Sequence, residues 1–227
     1  MVATEDDAVV GYAATVRIDE ADLLADLFVL PNRQGEGIGR SLLEQVWSGA
    51  PQRMTFSSAH PGALPLYRSF GLLPLWAVHY LSGDPSSLPA SPFTVTEVSH
   101  ATASEIEHQL DGGDRSVDYA YWAARPHARV FVVTAGEHTV AVGATGGEGP
   151  SGGLSHLRVA EPQLAGGALI AALGTWCGPA VVAVPEPISV VQTLVDCGWR
   201  LVDTDWFAAS SAELVDPRRL FPHSGLL

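Results

Sequence analysis

The chain has 227 residues, 47% hydrophobic and 16% charged, which excludes a disordered polymer and leaves room for one large domain or two small ones. A formal charge of −13, with all 12 basic residues arginine, excludes a nucleic-acid surface, because no basic stripe exists to displace counterions. It suits a neutral or cationic partner. The start, MVATEDDAVV, is acidic and lacks the basic-then-apolar plan of a signal peptide; Cys177 and Cys197 have neither metal-knuckle nor disulfide spacing. Both features predict a cytoplasmic protein with reduced thiols.

A strand is predicted over 8–15, AVVGYAAT, and a second over ADLLADLFV, 21–29. In the second, Asp22 and Asp26 alternate with leucines, which predicts both carboxylates on one face. The strand then runs through LFVLPNRQGEGIGRSLL, 27–43, into glycines at 35, 37 and 39 and directly into a helix. A helix N-terminus offers unpaired N–H groups and partial positive charge, and glycine lets an anion approach that backbone. A Walker loop would need Gly-Lys-Ser/Thr, and the chain has no lysine; a dinucleotide fingerprint would need glycine where Arg40 stands. A third pattern, Gln/Arg-x-x-Gly-x-Gly/Ala, is intact as Gln34-Gly35-Glu36-Gly37-Ile38-Gly39. Beyond it a strand precedes HPGALPLYRSFGL, a helix closed by Gly71, and a further strand reaches about residue 82.

SGDPSSLPASP, 82–92, has linker composition. After it the same order returns. VAVGAT (140–145) echoes 8–15, EPQLAGGALIAAL echoes the glycine loop and helix, and LVDCGWRLVDTDWFAAS echoes the capped helix and strand. The offset drifts from 132 (Gly11 to Gly143) to 127 (Gly71 to Gly198), as two diverged copies of one domain would show. Residues 93–132 carry a strand and helical sequence from about Thr102 to Ala124 that the first copy lacks, since Met1 falls opposite about Val133. The first copy is therefore expected to be short of its opening strand and helices, and a partner chain, as in a homodimer, is expected on that face if nothing internal covers it. GGEGPSGG (146–153) reads as a hairpin loop. No charge appears between Glu161 and Glu186, but Gly174, Gly178 and Pro179 divide that stretch into a buried helix and a strand, so no membrane span is expected.

Val29-Leu30-Pro31, the intact loop, and then Leu66-Tyr67-x-x-x-Gly71-Leu72 resemble the GNAT acyltransferase superfamily in order and register. The resemblance covers roughly 8–82 and, more weakly, 131–210. It implies an α/β (mixed α+β) fold of two GNAT-like domains, each a mostly antiparallel twisted sheet flanked by helices: residues 1–83, a linker at 84–92, and a degenerate second domain at 93–227. It implies acetyl-CoA as acyl donor and an amine as acceptor, a small molecule or a protein, with no metal. The pyrophosphate would meet the backbone of Gln34, Gly35, Glu36, Gly37, Ile38, Gly39 and Arg40, and the pantetheine arm would pair with Leu27, Phe28 and Val29. Backbone N–H near Val29 would polarise the thioester carbonyl. Tyr67 would be the general acid, His60 stands in place of the family's asparagine on the cofactor, and Asp22 or Asp26 would draw the amine proton through water. In the second copy Gln163, Gly166 and Ala168 fit the loop formally, but Leu194 replaces the tyrosine, which implies a structural domain. The alternative is a non-catalytic module that binds CoA or a partner protein.

Overall fold

In the computed structural model, which describes residues 1–148 and 152–223, the chain divides into two units. Unit one holds Met1–Leu75 and Asp205–Val215. Its strands β1 (Val2–Glu5) and β2 (Ala8–Ile18) are joined through Asp6 and Asp7, whose φ angles of 47° and 63° make a turn that matches the twist of a hairpin. β2 pairs antiparallel with β3 (Ala21–Val29), and β3 pairs parallel with β4 (Gln52–Ser57). The end of β11 (Arg200–Ala209) completes this sheet, with Trp206–Ala209 antiparallel to β4. Helices α1 (Ile38–Val46) and α2 (Ala63–Ser69) cover one face, burying Leu24, Leu42, Leu43, Trp47 and Leu72.

A bulge in β3 decides which side chains face which way. Ala14 pairs with Asp26 but Thr15 pairs with Leu24, so Ala25 is an extra residue. Paired residues share a face. Asp22, opposite Arg17, therefore lies on the α1 face with Leu24, whereas Asp26 lies on the opposite face with Tyr12 and Phe28. The expectation that the two carboxylates share a face fails, because unbroken alternation cannot reveal a bulge.

Unit two holds Trp76–Thr204 and Asp216–His223. Its sheet runs from β5 (Leu73–Gly83) through β10 (Ala180–Pro185), β9 (Gly153–Val159), β8 (His138–Gly146) and β7 (Arg129–Ala135) to β6 (Thr94–Glu97). Helices α5 (Ala165–Leu173) and α6 (Val191–Asp196) follow β9 and β10 as α1 and α2 follow β3 and β4. The stretch expected to be helical from Thr102 to Ala124 is two helices, α3 (His100–Asp111) and α4 (Ser116–Ala123), separated at Gly112, which has a φ of 83°. β6, α3 and α4 have no counterpart among the described residues of unit one. The uncharged stretch forms α5 and β10, and no helix among the described residues is long and apolar enough to cross a membrane. The loop expected at 146–153 has its centre, 149–151, outside the described residues.

The units do not follow the expected cut at 84–92. Unit one takes Asp205–Val215 from late in the chain, and unit two takes the end of β5 from the first repeat. The 84–92 stretch is itself packed. Asp84 caps a short 3-10 turn by accepting from Ser86 N–H at 2.9 Å, and Ser91 Oγ donates to Gly167 O at 3.1 Å. Phe93 lies 2.8 Å from where a Gly167 Cβ would stand. Pro-Ser composition reports the turn but not this docking.

Candidate active site

β3 and β4 begin as neighbours and then part. Their pairing ends at Leu24 and Thr55, while β3 continues to Val29 and β4 to Ser57. A cleft of about 530 Å³ opens there, walled by Leu27, Phe28 and Val29 on one side and by His60, Leu66 and Tyr67 on the other, with the glycine loop at its end. Leu30 N–H donates to Val10 O at 2.9 Å. Successive N–H groups of a strand alternate in direction, so that of Val29 points away from β2, into the gap. Gln34 Nε2 donates to Val29 O at 3.2 Å and ties the loop to the strand.

Gly35 and Gly37 have φ of 86° and 87°, and Gly37 is the N-cap of α1. That left-handed backbone is why glycine is needed at both positions. Ile38, Gly39 and Arg40 form the first turn of α1, whose N–H groups have no intrahelical partner. Gly11 has a different reason to be bare: a Cβ there would lie 2.8 Å from Phe28 O. The Arg40 guanidinium sits 5.6 Å from the Phe70 ring centre and borders the cleft. Arg33, also on the cleft wall, donates from Nε and Nη2 to Glu36, at 3.0 and 2.8 Å to Oε2, and also contacts Glu5. Hydrogen bonding to Arg33 holds the Glu36 carboxyl below its usual range. Loop pattern alone did not single out Arg33 or Glu5.

Tyr67, on α2, is 7% exposed and closes the inner wall. Burial raises its phenol above the ordinary 10, against a lowering hydrogen bond with Thr55 and with a smaller raising effect from Asp205. Thr55 Oγ1 in turn donates to Leu24 O at 3.1 Å. Neither Thr55 nor Asp205 lies in a motif, and Asp205 reaches this unit only because the late strand closes its sheet. His60 Nδ1 accepts from Gly62 N–H at 3.1 Å, shaping the turn into α2 while its ring borders the cleft.

The two carboxylates expected near the reaction are not both there. Asp22 is paired to Arg17 at 2.8 Å with its side chain 13% exposed, and it stands seven residues from Val29, roughly 20 Å along the strand. A water relay from Asp22 is excluded by that distance. Asp26 is exposed and makes no hydrogen bond or ion pair among the described residues. Among the described residues no group of His, Cys, Asp or Glu could hold a metal ion.

In unit two the equivalent gap is filled by the chain itself. Among the described residues β9 and β10 pair at Gly153 and Val181, and β12 (Leu220–Phe221) pairs with β9 at Arg158 and Leu157. Leu220, Phe221 and Leu194 are completely buried. Gly166 and Gly167 lie within α5, not in a loop before it. Arg218 does border the small pocket beside Gln163 and Gly166, a charge the sequence pattern missed, but it is held by Asp216 at 2.9 Å.

Unit two also encloses a polar cluster on the sheet face opposite α5. Glu107 accepts from Tyr119 Oη at 2.7 Å and lies 2.9 Å from His156 Nε2, with Arg158 Nε at 3.5 Å and Arg115 Nε at 3.8 Å. Trp122 stacks on His156 at 4.5 Å. Burial pushes the Glu107 carboxyl up, but His156, Arg158 and Tyr119 outweigh it and bring it down to about 2. For His156 burial wins and lowers the imidazole, against the attraction of Glu107. Nδ1 finds no partner among the described residues.

Residues 1–71 match the acetyltransferase (GNAT) domain. No curated protein matches the chain in sequence. Among solved structures, a protein from Pyrococcus horikoshii provisionally described as an acetyltransferase superposes with a TM-score of 0.70 at 14% identity, covering 97% of this chain and 77% of that one. A GCN5-related N-acetyltransferase from Sphaerobacter thermophilus gives 0.59 at 14% identity over 98% and 81%. A tandem GNAT protein from the clavulanic acid biosynthesis pathway gives 0.60 at 16% identity over 95% and 83%. At these identities the likeness speaks for the fold.

Proposed function

We propose, for a chain whose residues 1–71 match the acetyltransferase (GNAT) domain and whose fold is that of GNAT acetyltransferases, that unit one is an acyl-CoA site and the protein an acetyl-CoA-dependent N-acetyltransferase of tandem build. The observation that carries this reading is convergence. The glycine loop at the head of α1, the free edge of β3 and Tyr67 line one cleft. Bound acetyl-CoA supplies an activated acetyl group as a thioester. The N–H groups from Gly35 to Arg40 hold its pyrophosphate, and the edge from Leu27 to Val29 pairs with the pantetheine arm. Val29 N–H donates to the thioester carbonyl oxygen and stabilises the charge that grows there. As the amine nitrogen bonds to the carbonyl carbon and the C–S bond breaks, Tyr67 would give its proton to sulfur, and the proton that the nitrogen sheds would pass to solvent water, from which the tyrosinate regains its own. Its raised pKa keeps that proton available at neutral pH. The β12 plug supports one cofactor site per chain.

One observation favours a second reading, a CoA-binding or protein-interaction module without turnover: among the described residues, unit one has nothing like α3 and α4 over the face that carries Tyr12 and Phe28. Calorimetry with acetyl-CoA tests the shared premise. Wild type should bind one equivalent, and Gly37→Glu, which puts a carboxylate on the loop and strains its left-handed backbone, should abolish binding while still melting cooperatively. No binding by wild type would remove the acyltransferase and the CoA-binding module and leave only the protein-interaction module. Binding without acetyl transfer to any amine would favour the module.

A further inference from the structure

We propose that the acceptor is a diamine or polyamine, with one nitrogen acetylated in the cleft and a second ammonium held outside it by Tyr12, Phe28 and Asp26; this rests on, and deepens, the acyltransferase reading. The register of β2 and β3 puts these three side chains together. Tyr12 pairs with Phe28, and Ala14 pairs with Asp26, all on the face opposite α1. The two rings stand 6.0 Å apart, tilted by 30°, and are 39% and 46% exposed. Such a pair of aromatic faces attracts a cation, and a carboxylate at its edge adds direct charge. Ala14, the cross-strand neighbour of Asp26, is too small to cover it. Asp26 has no intramolecular cation to satisfy it among the described residues, whereas Asp22 has Arg17.

Phe28 links this patch to the chemistry, because it also lines the cleft. Its side chain projects opposite to those of Leu27 and Val29, so the gap beyond Leu24 gives access to both faces of β3. Asp26 lies three residues from Val29, roughly 10 Å along the strand. An alkyl chain of pentane length or longer spans from an amine at the Val29 N–H to an ammonium over the rings. Unit two shows what the same face looks like when the protein fills it. His156, which pairs with Ala144 as Phe28 pairs with Tyr12, is covered by Trp122 and bonded to Glu107. Unit one leaves the ring and carboxylate free for an external cation.

The test is binding of 1,5-diaminopentane and of n-pentylamine, equal in length but with one charge, to the full chain, read by calorimetry with and without CoA. The diamine should bind about tenfold or more tightly than the monoamine. Asp26→Asn and, separately, Tyr12→Ala should erase that preference and leave acetyl-CoA affinity unchanged, and Asp26→Glu should retain part of it. Equal affinity for the two amines in wild type, or a preference that survives both substitutions, overturns the proposal. Acetyl-CoA binding, measured on the same samples, reports separately on the acyltransferase reading. A wild type that binds acetyl-CoA but not the diamine loses only the acceptor class.

Discussion

In the proposed reaction the Tyr67 side chain serves packing and chemistry together. Its ring packs at 6.3 Å from Trp47 and helps fill the core of unit one, which fixes where the hydroxyl points. The same burial raises the phenol pKa, and a general acid must hold its proton until the thiolate leaves. Tyr67→Phe should therefore lower kcat by about 100-fold or more with little change in acetyl-CoA affinity or melting temperature. The acid form is lost only as pH rises through a pKa above 10, so in wild type Tyr67 contributes no alkaline fall in kcat below that pH. A Tyr67→Phe enzyme with unchanged kcat would remove the residue from the reaction. That the tyrosine, the loop glycines and Val29 lie along one cleft was legible in the sequence, because their positions depend on local backbone and a fixed spacing. Thr55, Asp205 and the facing of Asp26 were not. The first two depend on which strands become neighbours, and the third on a single bulged residue that leaves no mark in the hydrophobic pattern.

Elements show the same contrast between the repeats. α3 and α4 bring Glu107, Arg115, Tyr119 and Trp122 onto His156 of β9, so the face is sealed by a hydrogen-bonded polar cluster in place of an apolar one. Buried ion pairs are costly to break on one side only, about 3–5 kcal/mol, and Glu107→Gln should destabilise the protein at pH 7 by an amount of that order. The pH dependence has a definite sign. His156 and His223 have folded pKa values below the ordinary 6.5, that of His223 at about 4, and Glu107 falls from 4.5 to about 2. In each case the unfolded chain takes up its proton at higher pH than the folded one, so acidification favours unfolding. Stability should decline as pH falls below about 6.5 through the histidines, and further below about 4.5 through Glu107. Urea denaturation from pH 8 to pH 4 checks this, and a midpoint unchanged between pH 7 and pH 5 would contradict it. The order of strands and helices was readable from the repeat, since each copy has its own apolar runs and capping glycine. That the final strand β12 enters the gap of the second copy was not, because two residues carry no periodicity.

At the scale of the whole molecule the two units are defined by exchange. Strand β4 of unit one finds its antiparallel partner in residues 206–209, and β10 of unit two finds one in residues 78–83. The sequence repeat and the compact units are therefore cut in different places, and a fragment of residues 1–83 lacks a strand of the sheet that holds the cleft. Expressed alone, it should show no cooperative melting transition and no acetyl-CoA binding, and adding residues 84–227 as a separate chain should restore both in part. A cooperative melt by the fragment alone would mean that the exchanged strand is dispensable. The exchange also has a bearing on synthesis. When Ser57 leaves the ribosome, Asp205 has yet to be translated, and at about 5–20 residues/s the delay is on the order of 10 s. For that time Met54 and Phe56 sit on an unmatched strand edge, a template for any other extended chain. Nascent-chain protection by the cell's holding factors, more than intrinsic folding speed, would then set how much of this protein reaches its finished form.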